Sequence, residues 1–143
     1  MNALPPGYVL TDDPSATDPV ATHAYLTTSY WAEGIQLATV ARSTEGSLCV
    51  AVLHNGAQIG FARIVSDFAT FAYLGDVYVL EAHRGLGIAQ AMLTFLVEHP
   101  RLQGLRRWAL FTKDAQPLYA RFGWVQYATP ERMMTRDFPD IYR

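Results

Sequence analysis

Hydrophobic and polar residues alternate in short runs through the middle of the chain, and this pattern predicts β-strands. Residues 47–53, 58–65 and 71–80 are rich in apolar, β-branched and aromatic side chains over lengths typical of strands. Asn55-Gly56 separates the first two runs, and this dipeptide is a strong signal for a tight hairpin. Gly75 interrupts the third run and indicates a β-bulge there. We therefore predict that the middle of the chain is a set of antiparallel strands.

Before these strands, the chain predicts one short strand and two helices. Residues 7–10 have the composition of a strand. Asp18 can cap a helix that begins at Pro19, because the first helical turn leaves its N–H groups unpaired and proline has none to lose. A second helix is predicted over residues 35–42. The first six residues are expected to form a flexible tail.

After the strands, a glycine-rich turn is followed by apolar residues at helical spacing. Ile88, Met92 and Phe95 predict one buried face of a helix that runs to about His99. Further along we predict a strand over residues 106–111, a short helix capped by Asp114 and stopped by Gly123, and two strands over residues 124–127 and 132–135. Hairpins make the middle strands antiparallel, whereas a strand–helix–strand unit around the glycines is parallel. The pattern predicts a mixed α/β sheet with helices on both faces.

Composition narrows the class of protein. The chain has 143 residues, of which 50% are hydrophobic and 17% charged, so we expect one globular domain over residues 1–143. A net charge of −2 gives no electrostatic basis for nucleic-acid binding. No apolar run approaches the ~18–20 residues of a membrane helix, and no signal-peptide pattern opens the chain. One cysteine cannot form an internal disulfide, and the histidines are too scattered for a metal site, so we expect a cytoplasmic, metal-free protein.

The segment at residues 84–87, Arg-Gly-Leu-Gly, lies where the third strand gives way to the helix. The first N–H groups of a helix lack partners, glycines let a ligand approach them, and the helix dipole and Arg84 add positive charge. These properties suit a phosphate group. A P-loop and a dinucleotide fingerprint both fit badly, because no lysine follows the glycines and position 90 is glutamine. We expect a phosphorylated cofactor other than ATP or NAD, with a purely structural glycine turn as the alternative.

Three motifs together resemble one protein family. The pattern Arg84-x-x-Gly87-x-Ala89 is similar to the Q/R-x-x-G-x-G/A motif of the GCN5-related N-acetyltransferase (GNAT) superfamily. The Val-Tyr-Val run at residues 77–79 stands where that family has a splayed fourth strand, and LYARFGW at residues 118–124 resembles its LYxxxGF segment. The resemblance spans roughly residues 47–127. It implies a central, mostly antiparallel sheet that splays at the cofactor site.

The resemblance also implies a reaction and a cofactor. It implies direct transfer of an acetyl group from acetyl-CoA to a primary amine of a small molecule or peptide, with no metal. Alternatives are a non-catalytic acyl-CoA-binding module and an interaction domain, and homodimer formation stays open. Main-chain groups of Val77, Tyr78 and Val79 would pair with the pantetheine arm, and one N–H would donate to the thioester carbonyl. The phosphates would be held by Arg84, Gly85, Leu86, Gly87, Ile88, Ala89 and Gln90.

Tyr119 matches the tyrosine that serves the family as general acid, where it would protonate the departing thiolate. Its alternative role is core packing. Thr112 stands where many family members have asparagine, and this departure affects a family-typical contact to the cofactor or helix. Asp76 and Asp67 are candidate bases for the amine, either directly or through water. Asp76 could instead pair with Arg63 as a structural strand residue.

Aromatic residues are candidates for the acceptor site. Tyr30 and Trp31 lie in the break between the first two helices, a region that lines the acceptor site in this family. With Phe68, and with other aromatic residues of the adjoining strands, they could form a wall suited to an aromatic or cationic amine. Ordinary core packing is the alternative for all three.

Overall fold

The structure, a computed structural model, describes residues 4–143 and is built on one sheet of five strands. In chain order the strands are β1 (Tyr8–Thr11), β2 (Leu48–His54), β3 (Ala57–Ser66), β4 (Phe71–Val79) and β5 (Arg107–Leu110). The helices are α1 (Pro19–Leu26), α2 (Leu37–Glu45), α3 (Ile88–Val97) and α4 (Gln116–Ala120). Four short 3-10 turns complete the described elements: Pro14–Ala16, Glu81–His83, Pro100–Leu102 and Pro130–Arg132.

The strands lie side by side in chain order. β1 to β4 pair antiparallel, and β5 pairs parallel to β4. Asn55 and Gly56 both have positive φ, 52° and 82°, as the predicted tight hairpin between β2 and β3 requires. The predicted mixed sheet is therefore confirmed.

Strand alternation divides the core into two layers. Leu48, Val50 and Val52 of β2 face α3, and their cluster includes Met92 and Leu96 of that helix. The opposite face of the sheet packs against α1 and α2. The cluster on this face consists of Leu26, Ala32, Ile35, Val40, Cys49, Phe61 and Tyr78. Helices therefore cover both faces of the sheet, as predicted.

Local signals correctly placed several helix ends. Asp18 Oδ1 accepts hydrogen bonds from the backbone N–H groups of Val20 (3.0 Å) and Ala21 (3.2 Å), so it caps α1 as predicted. Gly123, predicted to stop α4, has φ +101°, a conformation that glycine adopts without strain. The second helix, predicted over residues 35–42, begins two residues later and ends three residues later.

The end of the chain differs from the prediction. Residues 124–127 and 132–135 form no strand, because no neighbouring strand pairs with them. Asp114 does not cap α4; instead Thr112 Oγ1 accepts from the Ala115 N–H at 3.0 Å. Of the predicted flexible tail, residues 1–3 lie outside the described residues, whereas Leu4 packs against the α3 side of the core.

Candidate active site

A cavity of about 320 Å³ opens in the sheet where its two parallel strands separate. β5 pairs with β4 only from Phe71 to Leu74, so the second half of β4, residues 75–79, has no strand on that side. The predicted splay is present. The walls come from the second half of β4, the segment after β5, α4 and the loop between α1 and α2.

The unpaired half of β4 presents backbone groups to this opening. The Leu80 N–H donates to the Ile59 carbonyl at 2.8 Å, which directs Leu80 toward β3. Peptide groups alternate sides along a strand, so those of Tyr78 face β3 and those of Val79 and Val77 face the opening. Two of the three residues predicted to meet the cofactor through their main chain therefore can. Tyr78 cannot, because β3 occupies its peptide groups.

A β-bulge lies at the start of this open half. Asp76 and Val77 together lie opposite one residue of β3, Ala62, in the shifted register between the strands. The bulge follows the predicted site, Gly75, by one residue, and Asp76 takes the left-handed conformation with φ +56°. A bulge leaves a backbone group outside the ladder. The strand therefore offers a fixed N–H donor at the cavity.

Two donors hold the Asp76 carboxylate at the cavity. Arg63 Nε donates to Oδ2 at 2.8 Å, and Trp31 Nε1 donates to Oδ1 at 2.9 Å. The Asp76 side chain is 12% exposed, so the ion pair is partly shielded from water. The predicted pairing with Arg63 is confirmed. It does not remove the carboxylate from the cavity, because both oxygens keep a lone pair that could accept a proton.

Tyr119 of α4, the predicted general acid, lies in the cavity wall. The residue is 9% exposed. Burial, with a smaller contribution from nearby Tyr30, raises the pKa of Tyr119 to about 12. Its hydroxyl forms no hydrogen bond with any residue between 4 and 143, whereas its ring packs edge-on against Trp124 at 6.0 Å. The phenol therefore keeps its proton at neutral pH, and no described residue accepts a hydrogen bond from it.

An aromatic rim lines the cavity near Tyr119. Tyr30 and Trp31 meet edge to face with ring centroids 5.1 Å apart, and Tyr73 and Phe111 meet at 6.1 Å. The Lys113 N–H donates to the Tyr30 hydroxyl at 3.2 Å, which ties the α1–α2 loop to the segment after β5. Aromatic faces attract apolar groups and cations alike.

The glycine turn has the space that a phosphate group needs. Gly85 and Gly87 have φ +78° and +80°, and a Cβ placed on either would meet nothing within 4 Å. Gly87 is the N-cap of α3 and offers no side chain to its free N–H groups. The turn therefore fits the phosphates of a bound cofactor, since donors, dipole and open space coincide. Of the other predicted residues, Ile88 is buried in the core, whereas Leu86, Ala89 and Gln90 keep some exposure.

Arg84 connects the glycine turn to the open strand. Its Nε donates to the Val79 carbonyl at 2.9 Å, which confirms that this carbonyl faces away from β3. Its Nη2 donates to the Tyr25 hydroxyl at 3.2 Å. Tyr25 in turn stacks on Tyr78, with ring centroids 4.3 Å apart and an angle of 8° between the ring planes. The guanidinium therefore stands exposed between the glycine turn and the cavity.

Asp67 and Phe68 do not reach this cavity. Asp67 Oδ1 accepts from the N–H groups of Ala69 (2.9 Å) and Thr70 (2.8 Å), so these bonds stabilise the β3–β4 turn and lower the pKa of Asp67 well below its usual range. Phe68 lies under the Arg101 guanidinium at 3.9 Å and packs toward α3. Neither residue lines the cavity, so neither enters the function proposed below.

Sequence reasoning missed the segment that follows β5. Phe111, Lys113 and Ala115 line the cavity, and Thr112 supplies the hydrogen bond that starts α4. The available signal was positional, because residues just beyond a strand that stops pairing fall at the opening. Among residues 4–143, no His, Cys, Asp and Glu side chains gather into a group of three that could hold a metal ion. No helix in that same part of the chain could cross a membrane.

Comparison with known proteins gives the family. The sheet splays between its two parallel strands, and the glycine turn that starts α3 follows the open half of β4. The chain belongs to the acetyltransferase (GNAT) family, whose sequence model matches residues 10–124. A crystal structure from Xanthomonas campestris pv. campestris, described as a "putative acetyltransferase belonging to the gnat family", is 44% identical to it. That match covers 96% of this chain and 97% of the other, with a TM-score of 0.93.

Two further matches are more limited. A crystal structure of a "putative acetyltransferase" from Deinococcus radiodurans R1 shares the fold, with 19% identity and a TM-score of 0.75. It covers 94% of this chain and 91% of the other. The protein named "Putative acetyltransferase FG08082" of Gibberella zeae is 43% identical over 67 residues, 45% of this chain. The match spans only 37% of the length of that curated relative.

Proposed function

We propose that this protein transfers an acetyl group from acetyl-CoA directly to a primary amine of a small molecule or peptide. The observation that carries the proposal is the open edge of β4, which leads from the cavity to the glycine turn. Such an edge suits an extended chain that ends in a phosphate group, because free peptide groups lie along the way and an anion site lies at the end.

Different residues along this edge would bind different parts of acetyl-CoA. The glycine turn and Arg84 would hold the phosphates. The outward peptide groups of Val77 and Val79 would hold the pantetheine arm, and one N–H would donate to the thioester oxygen. Acetyl-CoA supplies the acetyl group as a thioester, an acyl form that amines attack readily. A fixed donor at that oxygen stabilises the charge that develops there.

Two protonation tasks fall to side chains of the cavity. Tyr119 would donate its proton, or a hydrogen bond, to the leaving sulfur, since its raised pKa keeps the phenol protonated. Asp76 would receive the proton of the incoming amine or bind its ammonium form. Arg63 and Trp31 support this role, because their hydrogen bonds fix the carboxylate at the cavity.

The size, charge and aromatic lining of the cavity support a proposal for the class of amine that it accepts. Its volume of about 320 Å³ suits a small molecule or the end of a peptide. Two cationic side chains, Arg63 and Lys113, balance two carboxylates, Asp76 and Asp114, so the lining gives no net charge preference. Selection among amines would then depend on the aromatic rings of Tyr30 and Trp31. Because such rings bind aromatic groups and cations, we propose an acceptor amine carried by an aromatic or cationic group.

The test is a screen of primary amines with acetyl-CoA, in which release of free thiol reports turnover. At ~100 times its dissociation constant, CoA should stabilise the folded protein by about 2.7 kcal/mol. Absence of a thermal shift with either CoA or acetyl-CoA would refute cofactor binding. A clear shift without thiol release from any amine would instead identify a non-catalytic acyl-CoA-binding module.

Trp31→Ala separates the two ends of the site. It should raise the KM for the amine, because Trp31 lies in the cavity wall against Asp76 and Tyr30. Trp31 also lies 6.2 Å from the Tyr25 ring, whose hydroxyl accepts from Arg84, so any change in CoA affinity should be the smaller effect. Phe68→Ala is the control, since Phe68 lies outside the cavity and should leave the KM for the amine as it is. Equal KM values in wild type and Trp31→Ala would remove the aromatic rim from the acceptor site.

A further inference from the structure

The chain has a single lysine, and that lysine lines the candidate active site. Of the eleven basic Lys and Arg side chains, ten are arginine, so only Lys113 carries a primary amine. Lys113 belongs to the segment after β5 and lies in the same cavity wall as Asp76 and Tyr119. An arginine guanidinium stays protonated, whereas a lysine amine can act as a nucleophile and can be acetylated. The one side-chain amine of the protein therefore lies where an acetyl group would be delivered.

The amino group of Lys113 is held only loosely, although its backbone is fixed. The Lys113 N–H donates to the Tyr30 hydroxyl at 3.2 Å, which ties this residue to the α1–α2 loop. Nζ lies 5.4 Å from the centroid of the Tyr30 ring and forms no hydrogen bond or ion pair with any residue between 4 and 143. The lysine stem is flexible, so Nζ can turn into the cavity without breaking a described hydrogen bond.

The groups that acetylation needs lie around the same ring. Tyr30 meets Trp31 edge to face at 5.1 Å, and the Trp31 indole N–H donates to the Asp76 carboxylate at 2.9 Å. Tyr30 also lies close enough to Tyr119 to contribute to its raised pKa. The ring that Lys113 contacts therefore has the proposed base and the proposed acid in its neighbourhood.

We propose that Lys113 is a self-acetylation site, modified in cis by acetyl-CoA bound to the same chain. This inference rests on the proposed function, because it uses the same donor and the same cavity. It differs in the acceptor, which is a side chain of the protein itself.

The proposed step forms one bond and breaks one. The Lys113 ammonium loses a proton to solvent, and the lone pair of Nζ attacks the carbonyl carbon of the thioester. A C–N bond forms, the C–S bond breaks, and its electron pair leaves on sulfur, which takes a proton from Tyr119. Asp76 accepts the second proton of the nitrogen, and solvent returns that proton to Tyr119. The products are acetyllysine and free CoA, and the amide removes one of the two cations of the cavity lining.

Mass spectrometry of the full-length protein tests the proposal. After treatment with a lysine deacetylase and incubation with acetyl-CoA, the wild type should gain the mass of one acetyl group at Lys113. Trypsin cuts after lysine but not after acetyllysine, so residues 108–121 should appear as one peptide instead of 108–113 and 114–121. The half-time should be unchanged on dilution of the protein, because a reaction in cis is first order. Tyr119→Phe should slow the acetylation by about 10²-fold.

A relocated lysine is the matched control. Lys113→Arg/Arg136→Lys moves the single lysine to a position outside the cavity, where Arg136 lies over the Phe138 ring at 5.2 Å. Both positions are exposed and face an aromatic ring, so the cavity is the main difference between them. A synthetic peptide of residues 108–121 measures the uncatalysed reaction of the same lysine. The relocated lysine and the peptide should both react at least about 10²-fold more slowly than Lys113 in the wild type.

Three results would overturn the proposal. The first is an equal rate in the wild type, the relocated lysine and the peptide, which would show uncatalysed chemistry. The second is a half-time that shortens as protein concentration rises, which would show acetylation between copies. The third is a thermal shift with CoA and turnover of added amines while Lys113 stays unmodified, and this result would leave the proposed function intact. Absence of both the thermal shift and the acetylated peptide would refute the proposed function as well.

Discussion

Removing the hydroxyl of Tyr119 separates chemistry from binding in this site. Tyr119→Phe keeps the aromatic ring, and with it the edge-on contact to Trp124. The hydroxyl has no hydrogen-bond partner among the described residues, so its loss leaves no group unsatisfied there. We therefore expect the free energy of unfolding to change by less than about 1 kcal/mol.

The expected effect on turnover follows from the leaving group. General acid catalysis typically contributes about 10²–10⁴-fold. The thiolate of a thiol with a pKa of about 8.5 leaves with little help, so we expect kcat to fall by about 10²-fold, the low end of that range. This corresponds to about 2.7 kcal/mol in the activation free energy. CoA affinity should hardly change, because the interaction is made mainly in the transition state.

The assay combines thiol release under saturating amine with calorimetric titration of CoA. Tyr127→Phe is the control, since Tyr127 does not line the cavity and its hydroxyl has only a long contact, 3.5 Å, to Arg107. The control should keep wild-type turnover. Normal turnover in Tyr119→Phe, with normal stability, would show that water or another donor serves the sulfur. Lower stability with normal turnover would show that Tyr119 is a packing residue.

Three further predictions concern pH, the glycine turn and the cysteine. Because the folded protein holds the pKa of Tyr119 at about 12 against 10.0 for an unperturbed tyrosine, its contribution to stability is complete below about pH 10 and is lost as pH rises toward 12. Across that window the free energy of unfolding, measured by urea denaturation, should fall less in Tyr119→Phe than in wild type, whereas the raised pKa values of Cys49, Tyr73 and Tyr78 act equally in both proteins. Gly87→Ala should abolish the thermal shift with CoA, whereas Gly104→Ala, with a similar φ of +75° and equally open surroundings, should carry the same backbone strain and keep the shift. Burial raises the pKa of Cys49 to about 11, so a disulfide reagent near neutral pH should react with it only after unfolding, and fast reaction in the native protein would contradict the described core.

The fold was predictable where its causes are local. Asn55-Gly56 demands positive φ at both positions, and Asp18 needs only the N–H groups of the next turn, so the sequence identifies both features directly. A strand, by contrast, needs a neighbour with unpaired peptide groups. Alternation at residues 124–127 and 132–135 shows a face suited to pairing but cannot show a partner, which explains why these two predictions were wrong.

The candidate site was predictable in part. Motif spacing located the glycine turn and Tyr119, because the family's chemistry ties residue types to fixed positions. Trp31 and Asp76 are 45 residues apart, and only the fold brings them into a hydrogen bond. Phe68 matched the aromatic rim by residue type alone, yet a φ of +59° places it under Arg101 instead.

The open half of β4 has a consequence for how acceptor specificity can evolve in such a protein. The groups proposed to hold the donor there are peptide groups, which every residue type carries. The groups proposed to select the acceptor are side chains of the α1–α2 loop and of the segment after β5. Substitutions in those two loops can therefore alter what the cavity accepts while the donor contacts persist. Exchanging residues 30–34 between relatives should redirect acceptor choice without a new donor site.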